Sequence, residues 1–163
     1  MESNLPLHNT CEIAPLRKVL LHRPGRELEN LMPDYLERLL FDDIPYLKLA
    51  QEEHDKFADT LRQCGVEVLY LTDLTAEAVA DEEVRRQFVR DYLSEAEIAS
   101  GRLQEILTEY FLSLPARAMV EQMEAGVRKA ELQQFEKTSL ADMTAFGETD
   151  YPFLVDPMPN LYF

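Results

Sequence analysis

One stretch sets the frame for the whole chain. After Tyr46, the residues Leu47, Ala50, His54, Phe57, Ala58, Leu61 and Cys64 share one face at a helical period, while Glu52, Glu53, Asp55, Lys56 and Asp59 fall largely elsewhere. A helix so patterned takes its stability from laying the stripe on a partner. A short β-prone run stands on each side of it. Leu16-Arg-Lys-Val-Leu-Leu-His-Arg23 is stopped by Pro24-Gly25, and Val66-Glu-Val-Leu-Tyr-Leu71 follows Gly65, which is placed for a left-handed helix cap. The order strand 16–23, helix, strand 66–71 predicts a βαβ unit with neighbouring, parallel strands and the helix on one sheet face. Between the first strand and the long helix, Tyr35, Leu36, Leu39 and Leu40 after Pro33-Asp34 predict a short helix that ends before Ile44-Pro45.

Past Thr72-Asp73 strand signals vanish for about 65 residues and three helical patterns follow. The first carries Val84, Phe88 and Tyr92. The second carries Leu103, Ile106, Leu107, Tyr110, Phe111 and Leu114, and the third Met119, Val120, Met123, Val127 and Ala130. Ser94-Glu-Ala-Glu97 reads as a capping box for the second helix, and Pro115 suits the first turn of the third. A polar stretch from Glu136 to Asp150 leads into Tyr151-Pro-Phe-Leu-Val-Asp-Pro-Met-Pro-Asn-Leu-Tyr-Phe163, where the prolines forbid a long helix. The chain is thus an α/β protein divided into a βαβ unit over 1–73, an all-α insertion over 74–148 and the start of a further module over 149–163. Leu161-Tyr162-Phe163 closes on three large apolar residues with no turn signal, which favours a sequence cut short over a terminal strand docked in the sheet.

Composition narrows the function classes. Among 163 residues, 16 Lys and Arg stand against 31 Asp and Glu, a formal net charge of −15 that repels phosphate backbones and anionic lipid surfaces. Nucleic acid and membrane are therefore not expected as partners. No run reaches membrane-spanning length and the start lacks the basic and apolar parts of a signal peptide, so the expected location is the cytoplasm.

Residues able to carry chemistry are few. Cys11 and Cys64 lie outside any CxxC frame and have no neighbouring base, and Cys64 on the helical stripe reads as core packing. His8, His22 and His54 are too far apart for short metal-ligand spacings, so neither a metal nor another cofactor is expected, and His54 reads as a satisfied core histidine. Asp42 and Asp43 read as caps of a loop. The most unusual segment is Asp156-Pro-Met-Pro-Asn160 with Leu-Tyr-Phe163. Two prolines hold it extended and present an amide and a ring in register, either as part of a pocket or as a stiffened turn.

Three separated motifs carry a resemblance: Glu12-Ile-Ala-Pro-Leu-Arg-Lys-Val-Leu-Leu-His-Arg-Pro-Gly-Arg-Glu27, Asp34-Tyr-Leu-Glu-Arg-Leu-Leu-Phe-Asp-Asp43 and Val155-Asp-Pro-Met-Pro-Asn-Leu-Tyr-Phe163. In order and approximate spacing they resemble the opening of bacterial arginine deiminases, and the resemblance covers nearly the whole chain. It implies the N-terminal portion of a pseudo-fivefold α/β propeller carrying a helical insertion, and the hydrolysis of L-arginine to L-citrulline and ammonia. In that family the motif ending at Phe163 continues with Thr-Arg-Asp, whose Asp holds the guanidinium, and the nucleophilic Cys and proton-moving groups lie further along still. The resemblance therefore assigns no catalytic residue here. It assigns substrate contacts to Asn160 and Phe163 and a pocket-lining place to Leu40, which suits a substrate with a planar cation, an apolar stem and a polar head.

Two function classes follow: the N-terminal part of an arginine-hydrolysing enzyme, or a non-catalytic interaction module derived from it. The coding sequence beyond Phe163 discriminates between them. A homo-oligomer is compatible with either.

Overall fold

The computed structural model describes residues 11–96, 98, 100–135 and 150–161. The βαβ reading holds. Strand β1 (Lys18–Leu21) pairs in parallel with β2 (Glu67–Tyr70), Lys18 opposite Glu67 and Leu21 opposite Tyr70. Between them run a one-turn helix α1 (Arg26–Glu29), a 3₁₀ turn (Pro33–Tyr35) and the long helix α2 (Leu47–Gln63). The helix expected from Tyr35 to Leu40 shrinks to this 3₁₀ turn and following turns. At the end of α2 the chain reverses at Gly65, whose φ of 82° lies in the left-handed region, with Val66 N–H donating to the Leu61 carbonyl and Gly65 N–H to that of Arg62. This is the cap the glycine predicts.

The helical segment begins without a break after β2. It comprises α3 (Leu71–Ala78), α4 (Glu82–Glu95), α5 (Gly101–Ser113), α6 (Ala116–Ala125) and α7 (Lys129–Phe135), five helices where three apolar patterns were apparent. Asp81 caps α4 through Glu83 N–H and Val84 N–H, and Ser100 caps α5 by accepting from Leu103 N–H at 3.3 Å. The capping box expected at Ser94 is corrected: Ser94 sits inside α4, because that helix runs on to Glu95, and Glu97 lies outside the described residues. Pro115 stands at the N-cap of α6.

The main core belongs to this segment, with Val89, Leu93, Ile106, Leu107, Phe111, Met119, Met123 and Leu132 buried together and Tyr92 edge-on to Phe111 at 5.6 Å. One correction concerns strands. β3 (Val127–Arg128) lies between α6 and α7 and pairs antiparallel with β4 (Phe153–Val155), so Val127 and Val155 join the helical core. A smaller core of Leu28, Leu31 and Leu39 sits under the βαβ unit. The α2 stripe is only half covered. Ala58 is buried, but Phe57 stays 53% exposed and Cys64, expected in a core, is exposed because it already forms the cap where the chain turns away.

Candidate functional site

Asn160 and Leu40 are 120 positions apart, and the fold brings their turns together. Asn160 donates from Nδ2 to the Leu39 carbonyl at 2.9 Å, while its Oδ1 makes no hydrogen bond among the described residues. Leu40 adopts φ 58°, a left-handed conformation that costs a leucine roughly 1–2 kcal/mol, and leaves its side chain 83% exposed. An apolar side chain held strained and uncovered is the kind of feature that accompanies binding surfaces. Phe163 lies outside the described residues.

The two turns are fastened side by side. Arg38 donates from Nε to Asp156 Oδ2 at 3.1 Å and stacks over the Tyr151 ring at 4.3 Å, and the Tyr151 hydroxyl donates to Asp156 Oδ1 at 2.5 Å. Tyr35 meets Tyr151 edge-on at 4.9 Å and donates to the Asp150 carbonyl. Burial and the Asp156 carboxylate push the Tyr151 phenol well above its ordinary pKa, so it remains a donor at any physiological pH. The segment carrying Asn160 is in turn sewn to the helices by Met158 N–H donating to the Glu124 carbonyl and by Lys129 N–H donating to that of Pro152.

A second place was not read from the sequence. A cavity of about 400 Å³ opens at the carboxyl ends of β1 and β2, where α3 and α6 approach. Three guanidiniums line it, each already engaged: Arg23 bidentate with Asp55 at 2.8 and 2.9 Å, Arg26 with Gln122 and Glu131, and Arg117 with Glu121 and Asp73. Beside it lies a buried polar cluster. His22 and Glu27 are each 2% exposed, and His22 Nε2 is 3.1 Å from Glu27 Oε1, which also accepts Gly25 N–H. On the other side of the ring, Nδ1 lies 3.8 Å from Glu124 Oε1, which accepts the Thr72 hydroxyl at 2.8 Å. Burial opposes charge on His22, but the hydrogen bond and charge of Glu27 and the charge of Glu124 outweigh it and raise its pKa above the ordinary value. Burial likewise raises Glu124. With a carboxylate oxygen at each ring nitrogen, the imidazolium is the form this site favours.

The cluster ties the βαβ unit to α3 and α6 and supplies no nucleophile, since neither thiol lines the cavity. Its one legible sign was His22 and Glu27 flanking a Pro-Gly turn; Glu124 comes from a distant helix. His54, expected to be satisfied, instead has a buried Nε2 without a partner among the described residues, and burial lowers its pKa. Among the described residues no group of His, Cys, Asp and Glu is arranged to hold a metal, and no helix is long and apolar enough to cross a membrane.

Comparison with known proteins places both turns within one family. The arginine deiminase family model matches residues 37–163, which include both turns. The chain belongs to the arginine deiminase family. Its similarity extends to the remaining N-terminal residues: it is 55% identical to the arginine deiminase of Clostridium perfringens, covering 100% of this chain and 39% of that protein. It is 50% identical to that of Streptococcus uberis over 100% of the chain and 40% of the relative, and 52% identical to that of Streptococcus gordonii over 99% and 39%. The chain thus spans about two fifths of the length of these curated arginine deiminases.

Proposed function

We propose that this chain is the N-terminal portion of a cytoplasmic enzyme that hydrolyses L-arginine to L-citrulline and ammonia, and that it contributes one wall of the arginine pocket. Its βαβ unit is read as the first module of an α/β propeller, with the nucleophilic cysteine and the proton-transferring groups supplied from beyond residue 163. The observation that carries the reading is the meeting of two family motifs at the Asn160–Leu39 hydrogen bond, which sets Asn160 beside the exposed, strained Leu40. One Nδ2 hydrogen goes to Leu39, and Oδ1, which makes no hydrogen bond among the described residues, is the atom that takes an N–H of the arginine. Leu40 and Phe163 cover the apolar stem and exclude water from it.

The reading is tested by citrulline release. The 163-residue polypeptide is expected to release none from arginine, and the full-length product that contains it is expected to turn arginine over. Citrulline made by the short chain, abolished by Cys11→Ala or Cys64→Ala, would place the nucleophile here and overturn the assignment. In the full-length enzyme, Asn160→Ala is expected to lower kcat/KM by one to two powers of ten, since a lost hydrogen bond to a charged group is worth about 1.5–3 kcal/mol. A variant that melts earlier but keeps wild-type kcat/KM would leave Asn160 as a turn-bracing residue only.

A further inference from the structure

A single hydrogen bond from an exposed side chain does not hold two surface turns at a fixed spacing, and the structure supplies a second, closed set of contacts next to it. Asp156 uses both carboxylate oxygens, one for Arg38 and one for Tyr151, while Arg38 also covers the Tyr151 ring, so each of the three side chains touches the other two. The triangle spans the same two turns as the Asn160–Leu39 bond. Arg38 immediately precedes Leu39 and Leu40, and Asp156 begins the Pro-Met-Pro segment that ends at Asn160. An isolated exposed ion pair would contribute little. Here the pair is braced by Tyr151, which is only 8% exposed and which Tyr35 meets edge-on at 4.9 Å.

We propose that Arg38, Asp156 and Tyr151 are positioning residues that set the spacing between the Leu40 turn and the Asn160 turn, and thereby the affinity of the wall for arginine. The inference rests on the reading of that wall as part of the arginine pocket. The two prolines stiffen the stretch from Asp156 to Asn160, so a shift of Asp156 is transmitted to Asn160 instead of being absorbed between them. Arg38 acts over a still shorter path, being adjacent in sequence to the residue whose carbonyl Asn160 grips. None of the three is required to touch substrate.

The test uses the full-length enzyme, with steady-state kinetics on arginine and a thermal melt for each variant. Arg38→Ala, Asp156→Ala and the shape-conserving Asp156→Asn and Tyr151→Phe are compared with Asn160→Ala. Arg38→Ala and Asp156→Ala are expected to raise KM about five- to tenfold with kcat within about twofold of wild type, the signature of lost uniform binding. The double variant Arg38→Ala/Asp156→Ala is expected to be no worse than the more affected single one, because the two act as a unit. Asp156→Asn, which keeps an acceptor for Tyr151, is expected to recover part of the affinity. Unchanged KM in all four variants, with Asn160→Ala impaired, overturns the positioning role and leaves the pocket reading standing. Unchanged kcat/KM in Asn160→Ala as well overturns the pocket reading itself. Lower melting temperatures with wild-type KM would reduce the triangle to a structural brace. If the alanine variants do not fold, Asp156→Asn and Tyr151→Phe decide the matter by the same KM criterion.

Discussion

Replacing His22 with alanine is expected to destabilise the chain by about 3–5 kcal/mol, the range found when one partner of a buried ionic group is removed. The ring lies between Glu27, 2% exposed, and Glu124, 7% exposed, and its loss leaves two buried carboxylates facing each other across a void. Urea unfolding measures the loss as a lower midpoint. The dependence on pH has a definite sign. The folded-state pKa of His22 lies above its ordinary value of 6.5, so the native chain holds this proton more tightly than the unfolded chain does. Its stabilisation is fully present below the unfolded pKa and is lost as pH rises through the folded one. The raised pKa of Glu124 acts in the same sense at lower pH. The groups acting on His22 from the packed elements include Glu27 of α1, Glu124 of α6 and His54 of α2; beyond them, Arg23 and Arg117 are already paired with Asp55, Asp73 and Glu121. Wild type should therefore lose stability as pH is raised upward from 6.5, while His22→Gln stays nearly flat over that window. Equal slopes for the two proteins would remove His22 from the account.

Gly126→Ala is expected to be about as damaging for a different reason. Gly126 sits at φ 75° and ψ 175°, a region essentially reserved for glycine, and a Cβ there would stand 2.6 Å from Pro157 N and 2.7 Å from the Val155 carbonyl oxygen. Both are backbone atoms, so relief requires β4 to move away from β3. Backbone strain of about 1–3 kcal/mol and overpacking of about 1–3 kcal/mol combine to something on the order of 4 kcal/mol. Gly65→Ala is the control: its φ of 82° is also left-handed, but a Cβ there meets nothing within 4 Å. It should lose only the left-handed penalty, roughly 1–2 kcal/mol. Equal urea midpoints for the two variants would mean that the approach of β4 to Gly126 contributes nothing. Because the segment that continues from β4 carries Asp156 and Asn160, Gly126→Ala in the full-length enzyme should also weaken arginine turnover, although Gly126 lies in neither turn of the wall.

The parts of this architecture that sequence alone determined are those encoded between near neighbours. The stripe from Leu47 to Leu61 corresponds to α2 because residues three and four apart share a helix face, and Gly65 ends it because only a residue without a Cβ takes that turn freely. The runs around Val19 and Val68 became β1 and β2, since a βαβ order leaves few ways to pair them. The family resemblance named the Asn160 and Leu40 motifs, and spacing by itself did not say that they meet.

The rest was decided by docking. β3 is two residues long and has no pattern to read; it exists because Phe153–Val155, from beyond α7 in the sequence, pairs with it. Ser94 has the chemistry of a cap, but α4 continues past it and Ser100 caps α5 instead. His22, Glu27 and Glu124 form one buried group drawn from three places in the chain, and the triangle of Arg38, Tyr151 and Asp156 joins residues more than a hundred positions apart. Burial of a charge is a property of what lands on it, so no local signal announces it. Cys64 and Phe57 illustrate the converse: helical spacing assigned them to an apolar face, but a face becomes a core only where another surface covers it, and within these 163 residues that part of α2 is left exposed.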